Sequence, residues 1–431
     1  MSVAGAMKTA VSGLMANSTA VARISENIAN SATVGYKRTF ASMVTDTAPG
    51  AGSVSGVQAA NGSDVAGAGL VSATGVPEDL AVSGEGFFVV SKNPDDPLLS
   101  NYFLTRAGSF RADDSGYMVN SAGYYLAGYQ FDDTGNLPVI DRSGFAGLST
   151  VRVGEMTLAA QPSTAATVTG NLPAQETGSA TPGSPFVSSM EFYTQLGRSE
   201  NLQLSWQPTS TNNVWDLTIS DTTGAVHGTV AVTFQNAGTT PGAPASYAVS
   251  ASQPNGAKGL TVSADGVITL SITANGDPMA MTLSLGTPGT YDGVQQFVGD
   301  FSPQKFKVDG SGQAALSRTE TDNSGVVWGV FEDGRRKALY EVPLAQVTNP
   351  NAMTLVAGNA WQVTRAAGDM TLGKAGTGSV GIVVSGALEA STVDIATELT
   401  DLITVQRAYS SNAKIITTAD EMLQEVGNIK R

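Results

Sequence analysis

NIANSATVGYKR, residues 27–38, ends an amphipathic run that begins near Met7, and what this exit joins decides the fold. Met7, Val11, Leu14, Ser18, Val21, Ser25 and Ile28 advance in steps of four and three, the spacing of one helix seam, which predicts a helix over residues 5–30. The same steps recur at the other end through Ile395, Leu399, Leu402, Gln406, Tyr409, Ala413, Ile416, Asp420 and Leu423. This second helix is predicted to be the longest in the chain. Ser391 with Asp394 reads as its capping box and Gly427 as its stop.

Between these ends the periodicity falls to two. Trp215, Leu217 and Ile219, then Val230, Val232 and Phe234, then Ile268, Leu270 and Ile272, then Met279, Met281, Leu283 and Leu285 alternate as half-buried strands do. A turn phrase recurs at Asp113, Asp132, Asp141, Asp309 and Asp322, each an Asp three residues ahead of a glycine, and is read as a set of hairpin connections. Residues 41–69 and 160–185 lack both periods and read as linkers, and residues 236–246 as a long loop. The predicted class is therefore mainly β with terminal α.

Charged residues make up 14% of the 431 residues, against roughly 25% in an average soluble protein. The net charge of −14 argues against nucleic acid as a partner, because phosphates attract lysine and arginine. There is no cysteine, so neither a disulfide nor a thiolate metal site is available. No apolar run approaches the roughly 18 residues that would cross a bilayer, so membrane insertion is not expected, and Lys8 interrupts any signal-peptide pattern at the N-terminus.

Catalytic chemistry finds no footing. The single histidine, His227, sits beside neither cysteine nor a carboxylate cluster and reads as an ordinary core or surface residue. The pairs Asp95-Asp96, Asp113-Asp114 and Asp132-Asp133 invite a glycosidase reading, but neighbouring turn residues point apart. None of these phrases fits a calcium loop, and the glycine-rich stretches lack the Lys-Ser/Thr of a phosphate loop. No catalytic residue, metal site or cofactor is assigned, and an enzyme is not expected.

Helices of this length are marginal in water unless packed, so both seams need partners. Burying each aliphatic side chain contributes roughly 1.5–3 kcal/mol. The two helices either pair only with each other or pair and then pack on further copies. SGLMANSTAVARISENIANSATVGYKRTF, residues 12–40, resembles the N-terminal signature of the axial proteins of the bacterial flagellum, the rod and hook family. GALEASTVDIATELTDLITVQRAYSSNAKIITTADEML, residues 386–423, is similar to that family's C-terminal signature. DLAVSGEGFFVV, LTRAGSF and GNAWQVT extend the likeness inward, whereas Val34 replaces the usual proline and Thr392 the usual asparagine.

The resemblance implies a subunit that assembles through its terminal helices. The residues carried over for assembly are Val11, Leu14, Val21, Asn27, Ile28, Asn30, Gly35 and Tyr36 at one end, and Leu399, Leu402, Gln406, Arg407, Tyr409, Asn412, Ala413, Ile416 and Leu423 at the other. It further implies a coiled-coil-like inner domain from residues 1–70 and 389–431, a discontinuous β domain from 71–150 and 317–388, and an outer β domain inserted at 151–316. That layout is similar to the hook members of the family, structural subunits forming a curved tube that carries torque from rod to filament. A distal rod subunit, or from another class a secreted β-rich adhesin, is the alternative. The implied partners are copies of the chain itself, the distal rod, hook cap and hook-filament junction proteins, and the flagellar type III export apparatus. The implied place is outside the cell, reached without a cleavable signal peptide. In this reading Asn27 and Asn30 bond backbone at the helix end, Gly35 takes a conformation other residues resist, and the exit leads into a flexible connector.

Overall fold

The computed structural model describes residues 3–47, 54–251, 253–254, 257, 259–274, 277–302 and 304–429. The chain divides into two compact units, residues 1–156 with 316–431, and residues 157–315.

In the first unit the two amphipathic runs form α1, Val3–Ala29, and α2, Ile395–Ile429. Both helices are where the seams placed them, but two end signals were misread. Asp394, not Ser391, caps α2: its carboxylate accepts from Thr397 N at 2.7 Å and its carbonyl takes the first helical bond, from Glu398 N. The bonds from Thr397 also hold its carboxyl below the usual range. Gly427 does not stop α2, which runs on to Ile429.

The first supposed linker is a hairpin. Strand β1, Thr39–Thr47, pairs antiparallel with β2, Val54–Ser63, in a register that runs from Thr39 opposite Ser63 to Thr47 opposite Val54. Its composition hid it: Gly62 leaves an open place that the Phe40 ring fills, since a Cβ there would lie 2.7 Å from that ring. The hairpin seats on α1, where Ser12 Oγ accepts from Val57 N at 3.1 Å.

The β portion of this unit is built on Phe87–Ser91, a strand buried on both faces. Phe88 and Val90 enter a core with Leu80, Phe110, Leu126 and Leu344, while Phe87 and Val89 enter another with Leu104, Tyr129 and Trp361. Its neighbours are Tyr102–Thr105, Tyr125–Gln130 and Leu344–Val347. Of the repeated turn phrases, those at Asp113 and Asp322 do close hairpins. Asp132 and Asp141 make the same side-chain-to-backbone turns inside the long connection from Tyr125–Gln130 to its partner Ser149–Thr150, not at a tight hairpin.

The second unit has a five-stranded antiparallel meander, Phe186–Tyr193, Ser199–Pro208, Val214–Asp221, Val226–Phe234 and Pro244–Val249. A further sheet runs in the order Leu260–Val262, Val267–Ala274, Asp277–Ser284, Ala165–Pro173, Val294–Phe297. The alternating residues read as strands meet in one core around Trp206 and Trp215. The second supposed linker is wrong here too, because Ala165–Pro173 lies inside the sheet with Val168 and Leu172 fully buried. Asp309 closes no hairpin; its carboxylate instead takes the amides of Thr164 and Ala165 at the start of that strand. Of the loop at 236–246, its last residues belong to Pro244–Val249. His227 is fully buried in Val226–Phe234.

Candidate functional site: the terminal helix pair and its anchorage

The helices α1 and α2 pack on one another through a seam that apolar spacing does not mark. The buried positions of α1 are Ala10, Gly13, Ala16, Asn17, Ala20, Ile24 and Asn27, all but Ala16 lying one residue before a member of the predicted set. Small side chains let the backbones approach: a Cβ on Gly13 would sit 2.6 Å from Asn412 Nδ2 of α2. Leu14, Val21, Ile28 and Asn30 are consequently half-buried shoulders and Val11 is exposed.

On α2 the pairing face holds Glu398 and Ala419, buried, with Leu402, Asn412, Ala413 and Ile416 half-buried beside them. Gln406 and Arg407 face solvent. Leu399 is 47% exposed, Ile403 52%, Tyr409 45% and Leu423 47%, an apolar load that pairing with α1 leaves uncovered. Pairing within the chain therefore leaves apolar surface on α2 exposed.

At the exit of α1 the structure replaces the expected flexible connector with a fixed junction. Asn27, fully buried, uses its whole carboxamide. Its Nδ2 donates to Thr39 O at 2.7 Å and to the Glu398 carboxylate at 3.1 Å, while Oδ1 accepts from Thr39 N at 2.9 Å and from the Tyr36 hydroxyl at 3.2 Å. Asn27 thus binds the departing strand and α2, not the end of its own helix; Asn30 does that, donating to Glu26 O at 2.9 Å. Gly35 takes a φ of +67°, as expected, and its amide donates to Glu389 O at 2.9 Å.

The residues that follow carry charge into the interior. Lys37 Nζ meets Glu389 Oε1 at 2.5 Å and donates to Gly67 O at 2.6 Å. The other carboxylate oxygen of Glu389 takes Arg106 Nη1 at 2.9 Å, and Gly69 N donates to Oε1 at 2.7 Å. All three side chains are almost completely buried, at 1%, 3% and 0% for Lys37, Arg106 and Glu389. One step on, Arg38 binds Glu398 at 2.5 Å and Asp401 at 3.2 Å. Two further bonds join the same segments: Arg38 N donates to Thr392 Oγ1 at 2.9 Å and Thr392 N to Tyr36 O at 3.1 Å. The residue that departs from the family pattern, Thr392, therefore still supplies a side-chain acceptor.

Lys37, Arg38, Arg106, Glu389 and Glu398 are absent from the predicted set. Their signal was weak but present, since GYKR concentrates charge in a chain poor in it. What the sequence does not display is a pairing of residues more than 350 positions apart.

Burial pushes the Lys37 ammonium down from its usual value even though Glu389 faces it. Burial pushes the Glu389 carboxyl up, but Arg106 and Lys37 outweigh it and hold the group below the usual carboxylate range. Burial raises the Tyr36 phenol. Because the folded value of Glu389 lies below the unfolded one, its contribution is present above the ordinary carboxylate range and is lost as pH falls through the folded value. Thermal melts of the wild type and E389Q across acid pH are therefore expected to show a stability gap that is full near neutrality and closes toward low pH.

Among the described residues no helix is long and apolar enough to cross a membrane, and no cluster of three or more His, Cys, Asp or Glu could hold a metal ion. Residues 7–37 match the family described as flagella basal body rod protein, residues 81–161 the flagellar hook protein FlgE/F/G D1 domain, and residues 384–429 the flagellar basal body rod FlgEFG protein C-terminal. The first of these matches contains Asn27, Gly35, Tyr36 and Lys37, and the last contains Glu389, Thr392 and Glu398. The flagellar hook protein FlgE of Brucella suis biovar 1 (strain 1330) is 34% identical over 100% of both chains. That of Rhizobium meliloti (strain 1021) is 33% identical, also over 100% of both, and that of Salmonella typhimurium (strain LT2) is 31% identical over 98% of this chain and 99% of its own. The crystal structure of Helicobacter pylori flagellar hook protein FlgE2 aligns with 74% of this chain and 100% of its own at a TM-score of 0.45 and 13% identity, too distant to bear on the arrangement. End-to-end identity at this level makes the chain a member of the flagellar hook protein family.

Proposed function

We propose that this structural subunit polymerises head to tail through its paired terminal helices into the short curved tube that joins rod to filament and carries torque while bending. The observation that supports it is the apolar surface of α2: Leu399, Ile403, Tyr409, Met422 and Leu423 stay 45% or more exposed on a helix already paired with α1. Apolar area on one repeated surface, met by a different surface of the next copy, gives a contact that does not close and so a helical polymer. Few charges on the rest of the chain suit neighbours that slide as the tube turns.

In the same reading the chain is exported by the flagellar type III apparatus, acts outside the cell, and meets the distal rod, hook cap and hook-filament junction proteins at the tube's ends. The three-part division stays with it, residues 1–70 with 389–431 for assembly, 71–150 with 317–388 as a β domain, and 151–316 reachable from outside. Immunogold labelling of intact flagella with antibody against residues 165–310 tests this. Gold confined to a short curved segment next to the cell is expected; gold over the envelope, with hooks bare, overturns it.

A further inference from the structure

Three chain segments that fold on their own elements converge on one buried carboxylate. Lys37 arrives from the exit of α1, Arg106 from the β portion beyond Tyr102–Thr105, and Glu389 from the approach to α2. Each charge is buried where it is affordable only beside the others, because an ion taken out of water without its partner is strongly disfavoured. The same segments are also tied by neutral bonds, Gly35 N to Glu389 O and Thr392 N to Tyr36 O.

We propose that Lys37, Glu389 and Arg106 form a coincidence latch, so that the N-terminal exit and the C-terminal approach dock on the β portion together or not at all. With only one end in place, Glu389 faces Arg106 without Lys37, or Lys37 is buried with no carboxylate. The outer ring of the latch adds to this coupling: Asn27 and Arg38 both bond Glu398, so the first turn of α2 is held by residues of the α1 exit. The other charged group that acts on Lys37 is Asp64, and the next residue in the chain, Arg38, is held by Glu398 and Asp401. If the helix pair is the polymerising surface, which rests on the function proposed above, the latch ensures that this surface exists only when both ends of the chain are present.

Hydrogen exchange on the dilute full-length chain tests the latch without requiring assembly. In the wild type, amides of residues 35–38 and 389–398 are expected to be protected to the same degree. In E389Q and in K37M both segments are expected to exchange faster together, by roughly a hundredfold or more. Loss of protection only in the segment that carries the substitution overturns the proposal, as does a wild type in which the two segments differ or neither is protected. Should E389Q open the strand Phe87–Ser91 as well, the triple variant K37M/R106M/E389M decides. Shared protection restored by apolar replacement supports burial of unpaired charge as the cause, and no restoration overturns it.

Discussion

Chains carrying L399D and I403D are expected to fold and to form no hooks. Both side chains are about half exposed, Leu399 at 47% and Ile403 at 52%, and four residues apart they lie on one face of α2. In the single chain each change exchanges one exposed group for another, which costs within about 0.5 kcal/mol. In a polymer that covers this face, two carboxylates lose water without a partner at several kcal/mol each. Every subunit repeats the loss, so polymerisation is expected to fail outright. Unchanged circular dichroism and melting of the purified chain, with motility and hooks lost in cells, is the expected pair of results. Normal hooks from the double variant would show that this face does not make the contact. Leu402 is a less clean probe, since it is half-buried against α1 and its change would disturb the helix pair itself.

The residues that define the helices were easier to read than those that hold them. Seams of Val, Leu and Ile reveal that α1 and α2 exist, but the surface they share is made of Ala10, Gly13, Asn17 and Ala20, which have too little apolar area to register as a period. The shift by one residue follows, and it leaves the visible seam partly exposed. The hairpin at 39–63 and the strand Ala165–Pro173 look like linkers in the sequence for a related reason. Their Gly, Ala, Ser and Thr content resembles a connector, while their order comes from a cross-strand ring in one case and neighbours on both sides in the other. Alternating strands with large side chains, such as Trp215, Leu217 and Ile219, gave no such trouble.

The junction was legible only in part. Gly35, Tyr36 and Asn27 could be singled out from the motif, and the positive φ of Gly35 could be anticipated. Which groups they would meet could not, because Glu389, Glu398 and Arg106 are set against them by the whole fold of the first unit. A flexible connector was the reasonable reading of a polar, glycine-containing exit, and buried ion pairs turn it into an anchorage.

Gly35→Ala is expected to destabilise the first unit by about 3–5 kcal/mol, a large part of the roughly 5–15 kcal/mol that holds a typical domain together. At φ +67° an alanine is disfavoured by about 1–2 kcal/mol before any contact is considered. Its Cβ would also lie 2.7 Å from the Arg106 carbonyl carbon and from Ala107 N, closer than such atoms approach. That backbone has little freedom to retreat, since the Arg106 guanidinium is fixed by Glu389 and by Gly84 O. Relief must come from Gly35 itself, which draws Lys37 away from Glu389 and leaves the carboxylate with Arg106 alone. Gly75→Ala separates the two causes: Gly75 has a φ of +73° but nothing within 4 Å of the added carbon, so it should lose only the conformational part. Denaturant titrations of both variants are expected to differ by at least about 2 kcal/mol. Equal losses would mean that the close packing of Gly35 on Arg106 and Ala107 contributes nothing to the anchorage of the helices.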